Sequence, residues 1–162
     1  MSSKTEDLQK LYQEVLDYKS DIDDDGDVRF RHPEMGVFYI SIDAEGDPEF
    51  LRLVFPNFAD DERTGLSREQ LLELANEVNI KNKAAKLTVS YMNSDNTWNV
   101  SAQIECFIAP ADQSPDPDLL RATMNRNISA IRASLSTFHQ AVEEAKGSAS
   151  EEGEEGEEGD SI

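Results

Sequence analysis

The sequence predicts an α+β fold, an antiparallel sheet of about five strands flanked by helices in the order α-β-β-β-α-β-β-α. Three observations carry this. Apolar residues recur at helical spacing in three separate stretches, they alternate with period two between those stretches, and the links joining alternating runs are too short for parallel crossovers. A chain of 162 residues, 38% hydrophobic with seven Phe, four Tyr and one Trp, can build one compact core and would be cramped as two.

The first helix runs from Lys4 to about Tyr18, where Leu8, Leu11, Tyr12 and Val15 gather on one face. Ser3 caps it, and Glu6, three residues on, completes a capping box.

The stretch Asp21-Ile22-Asp23-Asp24-Asp25-Gly26-Asp27-Val28-Arg29-Phe30 admits two readings. Asp21, Asp23, Asp25 and Gly26 occupy the opening positions of a helix-loop-helix calcium site, with Asp27 next in line. The ninth position is Arg29, and the twelfth, where such a loop needs a bidentate Glu, is His32. A calcium-responsive loop built on Asp21, Asp23, Asp25 and Asp27 is therefore the alternative reading. The other is a solvated turn leading into a strand, work that Asp and Gly both do well. Val28 and Phe30 alternating with Arg29 and Arg31, where a calcium site would place a second helix, favour the turn.

Phe38, Ile40 and Ile42 continue the alternation after Pro33–Gly36, and Phe50–Phe55 forms a third run that Pro56 is expected to end. A loop is expected from Asn57 to Leu66. Ser67 and Gln70 form a second capping box ahead of a helix with Leu71, Leu74, Ala75 and Val78 on one face, stopping near Asn79. Leu87, Val89 and Tyr91, then Trp98, Val100, Ala102, Ile104 and Cys106, make a hairpin about the turn Asn93-Ser94-Asp95-Asn96. The opposite set, Thr88, Ser90, Asn99, Ser101, Gln103 and Glu105, is polar, so this part of the sheet has one wet face.

Asp116 followed by Pro117 starts a long helix. Leu120, Met124, Ile128, Ile131, Leu135 and Phe138 recur on it close to a heptad seam. To Ala145 it would span roughly 43 Å at 1.5 Å per residue, longer than a small sheet needs for cover. The seam is thus a candidate contact for a partner or a second copy, with packing on its own sheet as the plainer reading. Residues 1–146 form one domain, and the Glu/Gly run within 147–162 is expected to be a disordered acidic tail.

The formal net charge is −19, and the seven acids of the tail account for only part of it, so the body is acidic too. Phosphate-rich partners are repelled by such a surface, which argues against nucleic acid and anionic membranes and favours a protein partner with a basic surface. No long apolar run and no signal-like N-terminus is present, and a cytoplasmic location is expected. Cys106, the lone cysteine, excludes an internal disulfide, and on a core-facing strand position it reads as inert packing rather than a nucleophile. His32 and His139 lack metal-ligand spacing and read as surface or helix-face residues. No cofactor motif is present.

The element order and certain words of the chain resemble the bacterial YbjN family, a sensory-transduction-regulator-like domain whose fold is similar to that of type III secretion chaperones. DDDGDVRF, from Asp23 to Phe30, looks like the family's acidic lead and first strand; Val37–Ile42 resembles its second strand; LLELANEVN, from Leu71 to Asn79, resembles its Leu-rich helix. The likeness covers roughly residues 5–145. It implies a non-enzymatic module that binds or regulates other proteins, with a homodimer among the options, and it supplies no catalytic motif.

Overall fold

The structure, a computed structural model, describes residues 1–154. Helix α1 (Lys4–Val15) opens at the capping box: the Glu6 amide donates to Ser3 Oγ at 3.1 Å and the Ser3 amide to the Glu6 carboxylate at 2.9 Å. It ends earlier than the sequence spacing suggests, because Leu16 is already extended. Strands β1 (Ser20–Ile22), β2 (Val28–His32), β3 (Gly36–Ile40) and β4 (Phe50–Asp60) follow, then helices α2 (Asp61–Thr64) and α3 (Arg68–Lys81), strands β5 (Lys86–Met92) and β6 (Thr97–Phe107), and helix α4 (Pro117–Glu154).

The strands form one antiparallel sheet in the order β1-β2-β3-β4-β6-β5. The first four make a meander; the chain then crosses through α2 and α3, and the second hairpin docks with β6 against β4, leaving β5 at the edge. On that edge the Asn79 side chain stands in for a neighbouring strand, accepting the Leu87 amide at 2.7 Å and donating to the Leu87 carbonyl at 3.0 Å.

The α+β class and the antiparallel sheet are as the sequence predicts, but there are six strands and four helices among the described residues. The extra strand, β1, is three residues long and carries no apolar alternation. Pro56 does not end the third run. A register shift between Phe55 and Ala59 lets the strand pass it, as a bulge leaves proline with no ladder bond to make. Asn57 takes a left-handed φ of 50° there, its amide donating to Ser101 Oγ at 3.0 Å. What was expected to be a loop from Asn57 to Leu66 is the end of β4 plus the single turn of α2, capped by Asp60 and closed by Gly65 at φ 70°. Helix α4 begins as expected, with the Leu119 amide on the Asp116 carboxylate at 2.8 Å. It continues to Glu154, so residues 147–154 are helical where an unstructured tail was expected. Ser148 and Ser150 satisfy their hydroxyls on carbonyls one turn back, at 3.1 and 2.8 Å, and Ala and Glu are good helix formers. The remainder of the expected tail, 155–162, lies outside the described residues.

All of α1, α3 and α4 pack on one face of the sheet. Burial therefore alternates along the strands: Val28, Phe30 and His32 are buried while Arg29 and Arg31 are exposed. An aromatic row crosses this inner face from Tyr18 to Phe30, Phe38 and Phe55, with ring centroids 5.6, 5.1 and 4.7 Å apart. Phe58 extends it to Phe138 of α4, edge to face at 5.5 Å. Offset and edge-to-face pairs of this kind add to the burial energy of the rings. They tie the long helix to the middle of the sheet.

Candidate functional site: the open face of the sheet

Among the described residues no helix covers the outer face of the sheet over β2 and β3; only the single turn of α2 reaches the end of β4 and the start of β6. Period-two geometry sends Arg29 and Arg31 of β2, Val37 and Tyr39 of β3, Arg52 and Val54 of β4, and Gln103 and Glu105 of β6 to this side. Cross-strand register makes Arg29 the neighbour of Tyr39, Tyr39 of Val54, and Arg52 of Glu105. Two shallow hollows adjoin over Arg29 and Tyr39, which line both. One, of about 660 Å³, is bounded by Lys19, Asp21, Arg31, Pro33 and Val37. The other, of about 530 Å³, is bounded by Asp23, Asp24, Asp25, Asp27, Arg52 and Val54. The face thus has a half-buried apolar strip, Val37, Tyr39 and Val54, with a basic hollow on one side and an acidic one on the other.

Asp21 and Arg29 pair across the β1–β2 hairpin through one edge of the guanidinium, Nε donating to Oδ1 at 3.1 Å and Nη2 to Oδ2. The hydrogen bond from Arg29 holds the Asp21 carboxyl below its usual range. Arg52 pairs with Glu105 at 3.0 Å. Arg31 and Lys19 have no carboxylate within ion-pair reach among the described residues.

The four Asp residues of the alternative calcium reading do not converge. Asp21 is held by Arg29. Asp23 Oδ1 accepts the amides of Asp25 and Asp27, each at 3.0 Å, folding the turn on itself around Gly26, whose φ of 87° suits glycine. Asp27 points away, accepting the Ile42 amide at 2.8 Å and fastening the turn to the end of β3. Asp25 is exposed. Among the described residues no group of three His, Cys, Asp or Glu is placed to hold a metal ion. The calcium reading is corrected accordingly: the Asp-rich stretch is a hairpin turn whose carboxylates serve backbone amides and an arginine, and Gln9 of α1 anchors it through the Gly26 carbonyl at 2.8 Å.

The seam on α4 is likewise corrected as a docking surface. Leu120, Met124, Ile128, Ile131 and Phe138 lie between 0 and 3% exposed in the core. The seam is taken up by the apolar inner face of its own sheet. Leu135 alone is half-buried, in a notch it shares with His139, Val37, Tyr39 and Phe55, so the seam reaches the surface only at the end of the open face.

Two further expectations change. His32 is not a surface residue but 8% exposed, its Nδ1 accepting the Glu34 and Met35 amides at 3.2 Å, its ring against Tyr18 and Phe38. Its period-two position beside Phe30 was the available signal. Asn99, expected on the wet face, is buried where α2 folds over the start of β6, its amide turned back to Thr97 Oγ1 at 2.8 Å. Cys106 packs against the core as its strand position predicts but is only half-buried, and that burial raises its thiol above the ordinary value.

No family model matches the chain, and no curated protein matches it. Among solved structures it is similar to an uncharacterized protein from Methanothermobacter thermautotrophicus, with a TM-score of 0.53 and 14% identity, over 84% of this chain and 97% of that one. At that identity the likeness concerns the fold alone, a helix-backed antiparallel sheet. No helix among the described residues is long and apolar enough to cross a membrane.

Proposed function

We propose that this chain is a non-enzymatic protein-binding or regulatory module of the YbjN kind, with a fold like that of type III secretion chaperones, and that the open sheet face receives its partner. The observation that carries the reading is the uncovered strip of Val37, Tyr39 and Val54, half-buried and flanked by charges of opposite sign. A partly apolar surface with polar margins is the ordinary make-up of a non-obligate protein interface. The partner is another protein or a second copy of the chain, met in the cytoplasm. The acidic surface elsewhere repels nucleic acid and anionic membranes and draws in partners whose wider surface is basic, an attraction that weakens as salt rises.

The test compares the full chain with a Val37→Asp, Tyr39→Asp double variant, checked for retained fold by circular dichroism, as baits in the source cells. Proteins retained by the parent and lost by the variant are expected. An identical set on both baits, or nothing above background at low salt, overturns the reading.

A further inference from the structure

The basic hollow is out of character with the molecule. The chain holds only 15 Lys and Arg against 34 Asp and Glu, yet Lys19, Arg29 and Arg31 line this one hollow, and Asp21, its sole acid, is committed to Arg29. Lys19 and Arg31 are exposed and have no ion-pair partner among the described residues. Their floor is apolar and aromatic: Pro33, Val37 and Tyr39. On the far side of Tyr39 the lining adds Asp23, Asp24, Asp25 and Asp27, four acids against Arg29 and Arg52, and those two arginines are already paired with Asp21 and Glu105.

Resting on the docking role of the open face, we propose that the β1–β3 hollow takes an extended segment of a partner protein in which an aromatic residue adjoins one or two carboxylates. The aromatic ring covers Val37 and Tyr39, and the carboxylates pair with Arg31 and Lys19. Guanidinium suits this task because it offers a carboxylate two parallel donors. The acidic hollow beyond Tyr39 rejects the same carboxylates and so fixes which way along the strip the segment lies. Long-range repulsion from the acidic body does not prevent this: at physiological salt charges beyond about 8 Å are largely screened, leaving the local pairs in control. The chain's own Glu/Gly run is a poor occupant. It supplies carboxylates, but residues 147–162 contain no aromatic side chain to cover the floor.

The test is an amide NMR titration of the full chain with two synthetic peptides, Gly-Phe-Glu-Glu-Gly and its glutamine analogue Gly-Phe-Gln-Gln-Gly. The Glu peptide is expected to shift the amides of Arg31, Val37 and Tyr39 and to bind roughly fivefold tighter than the Gln peptide, as two solvent-exposed charge pairs allow. In a Lys19→Gln, Arg31→Gln variant the preference should vanish while the weaker apolar binding persists. Lys81→Gln, Lys83→Gln, a charge loss elsewhere on the surface, should leave the preference intact. Equal affinity for the two peptides, or a preference surviving Lys19→Gln, Arg31→Gln, overturns the inference. So does a peptide of residues 147–162 that shifts the same amides as strongly, which would give the hollow to the chain's own tail. If partners are lost with the Val37→Asp, Tyr39→Asp bait but the peptides show no charge preference, the docking face stands and this assignment of its partner falls.

Discussion

Replacing Tyr12 with Phe should stabilise the protein. The side chain is 1% exposed on the inner face of α1, and among the described residues its hydroxyl has no hydrogen-bond partner. Burial drives the phenol far above its ordinary value, and Cys106 adds to the shift. A buried hydroxyl left unsatisfied costs about 1–3 kcal/mol. Phe keeps the ring and its contacts and removes only the oxygen, whose small void returns part of the gain through lost dispersion. A net stabilisation of about 1 kcal/mol is expected at neutral pH. In urea unfolding with a slope of roughly 2 kcal/mol per molar, the midpoint should rise by about 0.5 M, and the melting temperature by about 2–4 °C. The pH dependence has a definite sign. Because the folded-state phenol is raised, its contribution is fully present below the unfolded value of about 10 and is lost as pH climbs from there toward the folded value. The parent should therefore weaken in alkali and the Phe variant should lack that slope, so the gap between them widens. A variant less stable than the parent at neutral pH, with parallel alkaline profiles, would refute the reasoning by showing that the hydroxyl has an interaction worth keeping.

Phe138→Ala should lose about 3–5 kcal/mol, since it empties a fully buried site against Phe58; equilibrium unfolding at two protein concentrations should give the same loss, as befits a core residue and not a dimer contact. Asp27→Ala removes the acceptor of the Ile42 amide and should cost about 1–2 kcal/mol, whereas Asp24→Ala, exposed at the tip of the same turn, should stay within about 0.5 kcal/mol. Millimolar calcium should produce no binding heat in calorimetry and leave the melting temperature of the full chain unchanged, because the turn's carboxylates do not converge. Maleimide labelling of Cys106 at neutral pH should be much slower in the native chain than in denaturant, burial having raised its thiol.

Features decided within a few residues were legible in the sequence. The capping boxes at Ser3 and Ser67 form as their spacing predicts, and the Asp116–Pro117 start of α4 is where it should be. The inner and outer sets of β2 and β3 follow from alternation alone. The misses lie where a distant neighbour settles the matter. Strand β1 exists because β2 offers it a ladder and Arg29 a counter-charge, not because Ser20–Ile22 favours a strand. Pro56 is tolerated because β6 accepts a bulge opposite it. The heptad spacing of α4 suits a partner as well as a sheet, and it is the sheet of its own chain that buries it.

The same division holds for the candidate site. The sequence by itself determined that one part of the sheet would be wet and that the chain would be acidic, because side-chain alternation and net charge are properties of the chain as written. Only the tertiary structure decided that all the packing helices would take one face. Only it gathered Lys19, Arg31, Val37 and Tyr39 from three segments into one hollow, and it set Asp23 on the amides of its own turn and Asp27 on the Ile42 amide. Such juxtapositions depend on strand order and register, which are set by the packing of residues far apart in the chain and leave no mark in any local stretch of it.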